Sequence, residues 1–189
     1  MTAEQRSKMR ARILDAARAR FLEEGLEGLS MRSIASRVGV SSMTLYLYYE
    51  SRQDIVRHIV LEGFTQLNEC LGRVVLLGSL EEKLNKLARA YFGFVVDNER
   101  YYAAMHRYFT DVDERRNDPL LAAPVGQVLT LLTEVISTGH LPPDASRLQA
   151  ASLWSSLHGL SMLYIGGQFD SADLDGSDVL AVFCKTFAT

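Results

Sequence analysis

The sequence has few cysteines, few prolines and no long apolar run, and each scarcity argues against a class of protein. Its two cysteines, Cys70 and Cys184, lie far apart with no CxxC spacing, which speaks against a zinc site or a disulfide framework and reads as two ordinary thiols. Four prolines and thirteen glycines in 189 residues are too few for low complexity or general disorder, and an apolar share of 48% supplies a sizeable core. No stretch reaches the roughly 18–20 uninterrupted apolar residues of a membrane span. The charged start MTAEQRSKMRARIL has no apolar centre of a secretory signal. A cytoplasmic location with no membrane partner is expected.

Catalytic signatures are scarce as well. His58, His106, His140 and His158 show no HExxH or paired-ligand spacing, and neither a glycine-rich phosphate loop nor GxSxG occurs. The reading is therefore not an enzyme, with no metal and no other cofactor.

Charge is distributed unevenly. Residues 1–52 carry nine Lys/Arg against six Asp/Glu, whereas the remainder carries eleven against seventeen. A basic end on an acidic body suits a protein that turns one face to phosphates; a solvated helix surface would carry the same charges.

What is present is helical periodicity throughout. Ile13, Ala17 and Phe21 form one stripe of a first helix, 8–24, which Gly25 and Gly28 stop. Ser30 caps a second helix, 31–38, and Ser41 a third, 42–49. Ser51 caps a fourth, 51–77, with Asp54 as its acidic capping partner. Further helices are expected over 79–97, 98–109, 119–138, 144–165 and 179–187, with polar loops at 111–118 and 169–178. No strand and no internal repeat is expected.

The segment 31–42 is the specific one. Ala35 lets two helices approach, Gly39 takes the turn and Val40 seals it, the pattern of a helix-turn-helix. The second helix of such a unit enters the major groove. Here it carries Ser42, Met43, Thr44, Tyr46, Leu47 and Tyr48, with Leu45 pointing inward against Ile34. Hydroxyls bond phosphates or bases, and Met43 or Thr44 can touch a thymine methyl. Arg52 is placed to anchor a backbone phosphate.

The stretch from Arg12 to Val56, RILDAARARFLEEGLEGLSMRSIASRVGVSSMTLYLYYESRQDIV, resembles the DNA-binding domain of the TetR/AcrR family of bacterial regulators. The likeness rests on the Ala-Ala pair with Phe21 and Gly25, on Ile34-Ala35, on Gly39-Val40, and on Thr44-Leu45-Tyr46 followed by Tyr48-Tyr49 and Ser51-Arg52. It implies DNA contacts at Arg32, Ser42, Met43, Thr44, Tyr46, Leu47, Tyr48 and Arg52. The family often has Lys at the Arg52 position, and either cation serves a phosphate. It commonly has a polar or charged residue near Leu47, so base reading there is left open. Trp154-Ser155-Ser156-Leu157-His158-Gly159 resembles the signature of a subgroup with a Trp-His-Gly-type ligand domain.

The resemblance implies an all-α fold: an N-terminal three-helix DNA-binding domain, 1–52, and a C-terminal helical domain, 53–189, for ligand binding and dimerisation. It also implies a repressor that binds a palindromic operator as a homodimer and is released by a small-molecule effector. Tyr91, Phe94, Tyr102, Met105, Phe109, Leu129, Trp154 and His158 are candidates to line the pocket, and their composition suits an apolar or aromatic effector. The same residues at helical spacing also read as core, and His158 as a structural histidine. Leu153, Leu157, Leu160, Ser161 and Tyr164 are expected at the dimer interface, where Ser156 and Gly159 allow close approach. A DNA-binding regulator without a small-molecule ligand, or an activator, remains the alternative.

Overall fold

The computed structural model describes residues 2–110, 118–139, 142–171 and 178–180, without the side chains of 109, 110, 170 and 171. The described residues are helical and contain no strand. Nine α-helices with both ends among the described residues follow in order: α1 (Ala3–Glu24), α2 (Met31–Val38), α3 (Ser42–Tyr46), α4 (Arg52–Gly72), α5 (Leu80–Asp97), α6 (Glu99–Thr110), α7 (Pro119–Ser137), α8 (Pro143–Ile165) and α9 (Gln168–Ser171). A 3₁₀ turn, Leu26–Gly28, follows α1.

Several boundaries differ from expectation for local reasons. The first helix starts at Ala3 because Thr2 and Gln5 close a capping box: the Gln5 N–H donates to Thr2 Oγ1, and the Thr2 N–H to Gln5 Oε1. Helix α3 stops at Tyr46, where Leu47 N–H turns to the Thr44 carbonyl and Tyr48 N–H to that of Leu45. Helix α4 ends at Gly72, not near Leu77. The turn α9 forms inside a segment read as loop. The expected loop at 111–117 and residues 181–187 of the expected last helix lie outside the described residues, as does Cys184.

The chain divides into two compact units, Met1–Gly63 with Arg100–Arg116, and Phe64–Glu99 with Asn117–Thr189. The division falls inside α4, and α6 joins the first unit. In that unit Ile13, Ala17 and Phe21 of α1, Ile34 of α2, Leu45 of α3 and Ile55 and Ile59 of α4 are buried together with Tyr101, Tyr102 and Met105 of α6. The second unit pairs α7 with α8 and sets α5 against both. Its core comprises Leu84, Leu87 and Tyr91 of α5, Val128, Leu132 and Ile136 of α7, and Leu153 and Leu157 of α8. Helix α7 is long and apolar enough to cross a membrane, with a mean hydropathy of 1.6. Its sequence is broken by Gln127, Thr130, Thr133 and Glu134, and its apolar stripe packs in the core of this unit.

Candidate nucleic-acid interface

The geometry of the helix-turn-helix starts with its caps. Ser30 and Ser33 bond each other's backbone N–H groups reciprocally at 3.0 Å, fixing the start of α2. Gly39 ends α2 with φ of 81°, the left-handed conformation that glycine adopts at least cost. The Val40 N–H then returns to the Ala35 carbonyl at 3.0 Å. Ser41 starts α3 by accepting the Thr44 N–H at 3.0 Å.

This arrangement sorts the residues of α3 by face. Leu45 is completely buried, as is Ile34 of α2. Met43, Tyr46 and Leu47 point outward, 75%, 51% and 64% exposed. Three large apolar or phenolic side chains exposed within five consecutive residues make an unusual display for a face with only water as partner. Ser42 and Thr44 are half-buried beside it, the Thr44 hydroxyl 2.9 Å from that of Ser41, and Arg32 of α2 is exposed.

Two expected contacts are engaged within the protein instead. Tyr48 is buried, its ring covered by the Arg6 guanidinium 5.9 Å from the centroid. Arg52 is half-buried and spends its guanidinium within the protein: its Nε donates to the Leu29 carbonyl at 2.7 Å and its Nη2 to that of Leu26 at 2.6 Å. A guanidinium at the start of α4 satisfies one carbonyl of the 3₁₀ turn and one of the residue that follows it, which water would otherwise solvate.

Basic residues of α1 brace the helix-turn-helix through its carbonyls. Arg6 donates to the Leu47 carbonyl at 3.1 Å, Arg10 to the Tyr48 carbonyl, and Arg12 to the Val38 carbonyl at 3.4 Å. Arg10 also lies 4.2 Å from the centroid of the Tyr49 ring, and its Nη2 is 3.4 Å from His58 Nε2. The Tyr49 hydroxyl donates back to the Arg10 carbonyl at 3.2 Å, and burial pushes this phenol above the ordinary tyrosine range. Ion pairs brace the same unit. Arg37 grips Glu23 through two nitrogens at 2.6 and 2.7 Å, which holds that carboxyl below its usual range. Arg18 pairs with Glu62 at 2.8 Å, a bond that raises the guanidinium's own value. From α6, Arg100 donates to the Phe21 and Leu22 carbonyls and Arg107 pairs with Glu27. Helical periodicity does not announce these carbonyl clamps, because an arginine on a polar face looks the same whether it meets water or a neighbouring helix end.

The candidate ligand residues divide between the two units. Tyr102 and Met105 are buried in the first, where Met105 packs against Gly63. Tyr91, Phe94, Leu129, Trp154 and His158 belong to the second. Tyr91 and Phe94 are buried, the other three half-buried, and the Trp154 indole donates to the Tyr91 hydroxyl at 3.3 Å. The Phe109 side chain lies outside the described residues. Beside Phe94 an open groove of about 520 Å³ runs between α4 and α5, lined also by Gln66, Cys70, Arg73 and Asp97. Among the described residues no group of three His, Cys, Asp or Glu is placed to hold a metal ion.

Four of the five residues expected at the dimer face are buried in the protomer. Leu153, Leu157, Leu160 and Ser161 are no more than 8% exposed within the chain's own fold, so they offer a partner almost nothing. Tyr164 is partly exposed and stacks edge-on against Phe92. The opposite face of α8 is the open one: Leu148, Ser152, Ser155, Gly159 and Leu163 are exposed at intervals of three and four.

Comparison with known proteins agrees with this architecture. Residues 13–59 match the bacterial regulatory proteins of the tetR family, and residues 84–187 match the tetracyclin repressor-like C-terminal domain. The chain therefore belongs to the TetR family. It is a DNA-binding transcriptional regulator, not an enzyme. Among relatives, the uncharacterised HTH-type transcriptional regulator Rv0681 of Mycobacterium tuberculosis is 24% identical over 88% of this chain and 74% of its own length. The negative regulator of the biofilm operon icaADBC, IcaR of Staphylococcus aureus, is 26% identical over 56% of each chain. The fold is shared with the transcriptional regulator FadR of Bacillus subtilis, solved in complex with stearoyl-CoA: TM-score 0.70, 17% identity, covering 95% of this chain and 97% of that one.

Proposed function

We propose that this regulator is a cytoplasmic repressor that binds a palindromic operator as a homodimer and is released by a small apolar or aromatic effector. The observation that carries the reading is the exposed face of α3, Met43, Tyr46 and Leu47, on a helix pinned by the fully buried Leu45. Arg32, Ser42 and Thr44 complete the DNA-contacting set, which Tyr48 and Arg52 support from behind. Functionally, residues 1–52 read DNA, and residues 53–189 bind ligand and dimerise.

A dimer follows from the physics of the site. One short recognition helix makes few base contacts, whereas two spaced by about 34–36 Å read successive major-groove faces. The open face of α8, small at Ser152, Ser155 and Gly159 and apolar at Leu148 and Leu163, is suited to a second copy. Repression is in keeping with IcaR, a negative regulator by name.

The effector reading rests on the second unit. Its candidates are Phe94, Leu129, Trp154 and His158, mostly apolar side chains with an indole and an imidazole suited to orienting a ligand, and FadR was solved with stearoyl-CoA. The Trp-Ser-Ser-Leu-His-Gly run at 154–159 supports assignment to the Trp-His-Gly subgroup. An effector must bind the non-operator state more tightly, since equal affinity for both states shifts nothing. A coupling of about 1–3 kcal/mol lowers operator affinity roughly 5 to 150-fold. Trp154, the sole tryptophan, reports the event. Titration with apolar and aromatic compounds is expected to change its emission and to release operator at the same concentration. Emission changes without operator release across such a panel would favour a regulator that needs no small-molecule ligand.

A further inference from the structure

We propose that Arg6 is a phosphate contact of the DNA complex, a role the sequence pattern assigns to Arg52. The inference rests on where the two guanidinium groups lie. Arg52 is half-buried and committed to the Leu26 and Leu29 carbonyls. Arg6 is exposed, and its Nη2 donates to the carbonyl of Leu47, the residue that ends the recognition helix and is itself 64% exposed. Its guanidinium carbon lies 5.9 Å from the centre of the Tyr48 ring, so ring and carbonyl together hold the side chain at the exit of α3.

An arginine has five N–H donors in a fixed fork, and one bond to a carbonyl leaves most of them directed elsewhere. When Met43, Tyr46 and Leu47 enter a major groove, a group bonded to Leu47 reaches the sugar-phosphate strand at the groove's edge. Arg6 is held there before binding, so little side-chain freedom is lost on contact. Two neighbouring cations are differently engaged. Lys8 pairs with Glu4 at 2.6 Å, and Arg10 is half-buried against Tyr48 and Tyr49. Helix α1 begins at Ala3 under its Thr2–Gln5 capping box, which keeps Arg6 on a formed turn.

The test separates charge from positioning. Binding of the full-length protein to a duplex is measured against salt for wild type, Arg6→Lys and Arg6→Gln. Glutamine keeps an N–H donor but cannot neutralise a phosphate. Each lost phosphate contact reduces the slope of log K against log salt by about 0.9, so a fourfold rise in salt weakens wild type about 3.5-fold more than Arg6→Gln per protomer bound. Arg6→Lys is expected to keep the wild-type slope, and Arg6→Gln to lose affinity equally for specific and non-specific duplexes. A wild-type slope in Arg6→Gln overturns the proposal, whatever its affinity. Far-UV circular dichroism checks that each variant is folded, and Arg6→Lys with a reduced slope would equally contradict a charge contact.

Discussion

Arg52 Nε donates to the Leu29 carbonyl at 2.7 Å, so the cation that opens α4 faces the protein and fastens α4 to the loop before α2. With its second bond to Leu26, it makes two charge-assisted contacts in a half-buried setting. Arg52→Ala is expected to destabilise the protein by about 1–2 kcal/mol, the low end for such bonds because the group is partly solvated. Urea denaturation reads this as a lower midpoint. The salt slope of DNA binding should stay as in wild type. A reduced slope with unchanged stability would return Arg52 to the phosphate-contacting set.

Tyr46 presents the opposite case, since half of it is exposed and its loss leaves no cavity. Tyr46→Ala is expected to weaken operator binding roughly 5 to 150-fold, the range of about 1–3 kcal/mol for a base contact. Stability should change by no more than about 0.5 kcal/mol. Fluorescence anisotropy with a labelled operator, beside a thermal melt, checks both. Full affinity in this variant would mean that another face of the unit meets DNA.

The two faces of α8 give a paired prediction. A Cβ built at Gly159 meets open space, so Gly159→Leu leaves the protomer folded while obstructing a second copy on that face. Leu157→Ala empties a site 1% exposed and should cost about 2–5 kcal/mol of stability. Sedimentation velocity is expected to show monomers for Gly159→Leu. A stable dimer in this variant would exclude the small-residue face from the interface.

The Glu23–Arg37 pair predicts an acid-dependent term. Its carboxyl is held below the ordinary glutamate range in the folded protein, chiefly by the hydrogen bonds from Arg37. The stabilisation is therefore complete above the unfolded value and is lost as pH falls through the lower, folded one. Glu23→Gln should have a lower urea midpoint than wild type at neutral pH, with the gap closing as Glu23 is protonated. A gap that stays constant into strong acid would show that the pair's charge is not its contribution.

Much of this architecture was legible in the sequence because caps and turns are local. Ser30, Gly39 and Ser41 mark α2 and the start of α3 by chemistry acting over three or four residues. The TetR resemblance extended that reading from a helical pair to a DNA-binding regulator. What escaped depends on distant partners. The apolar stripe Leu153–Leu157–Leu160 was visible, but periodicity cannot say whether a stripe meets its own core or a second chain, and here it meets the core. Arg6, Arg52 and Arg100 likewise find carbonyls 41, 23 and 78 residues away, separations at which no spacing rule operates. The start of α1 was missed because its Thr2–Gln5 cap sits in a polar stretch without apolar rhythm.

The most direct test of the central claim is selection of random duplexes by the purified protein at fixed salt, read by sequencing. The account predicts enrichment of an inverted repeat whose half-sites are centred about one helical turn apart or slightly more. The same repeat should lose enrichment when Tyr46→Ala replaces the wild type. Recovery of a single, non-repeated site would contradict the dimeric operator reading, and no enrichment over non-specific binding would contradict the assignment of α3 as the helix that reads sequence.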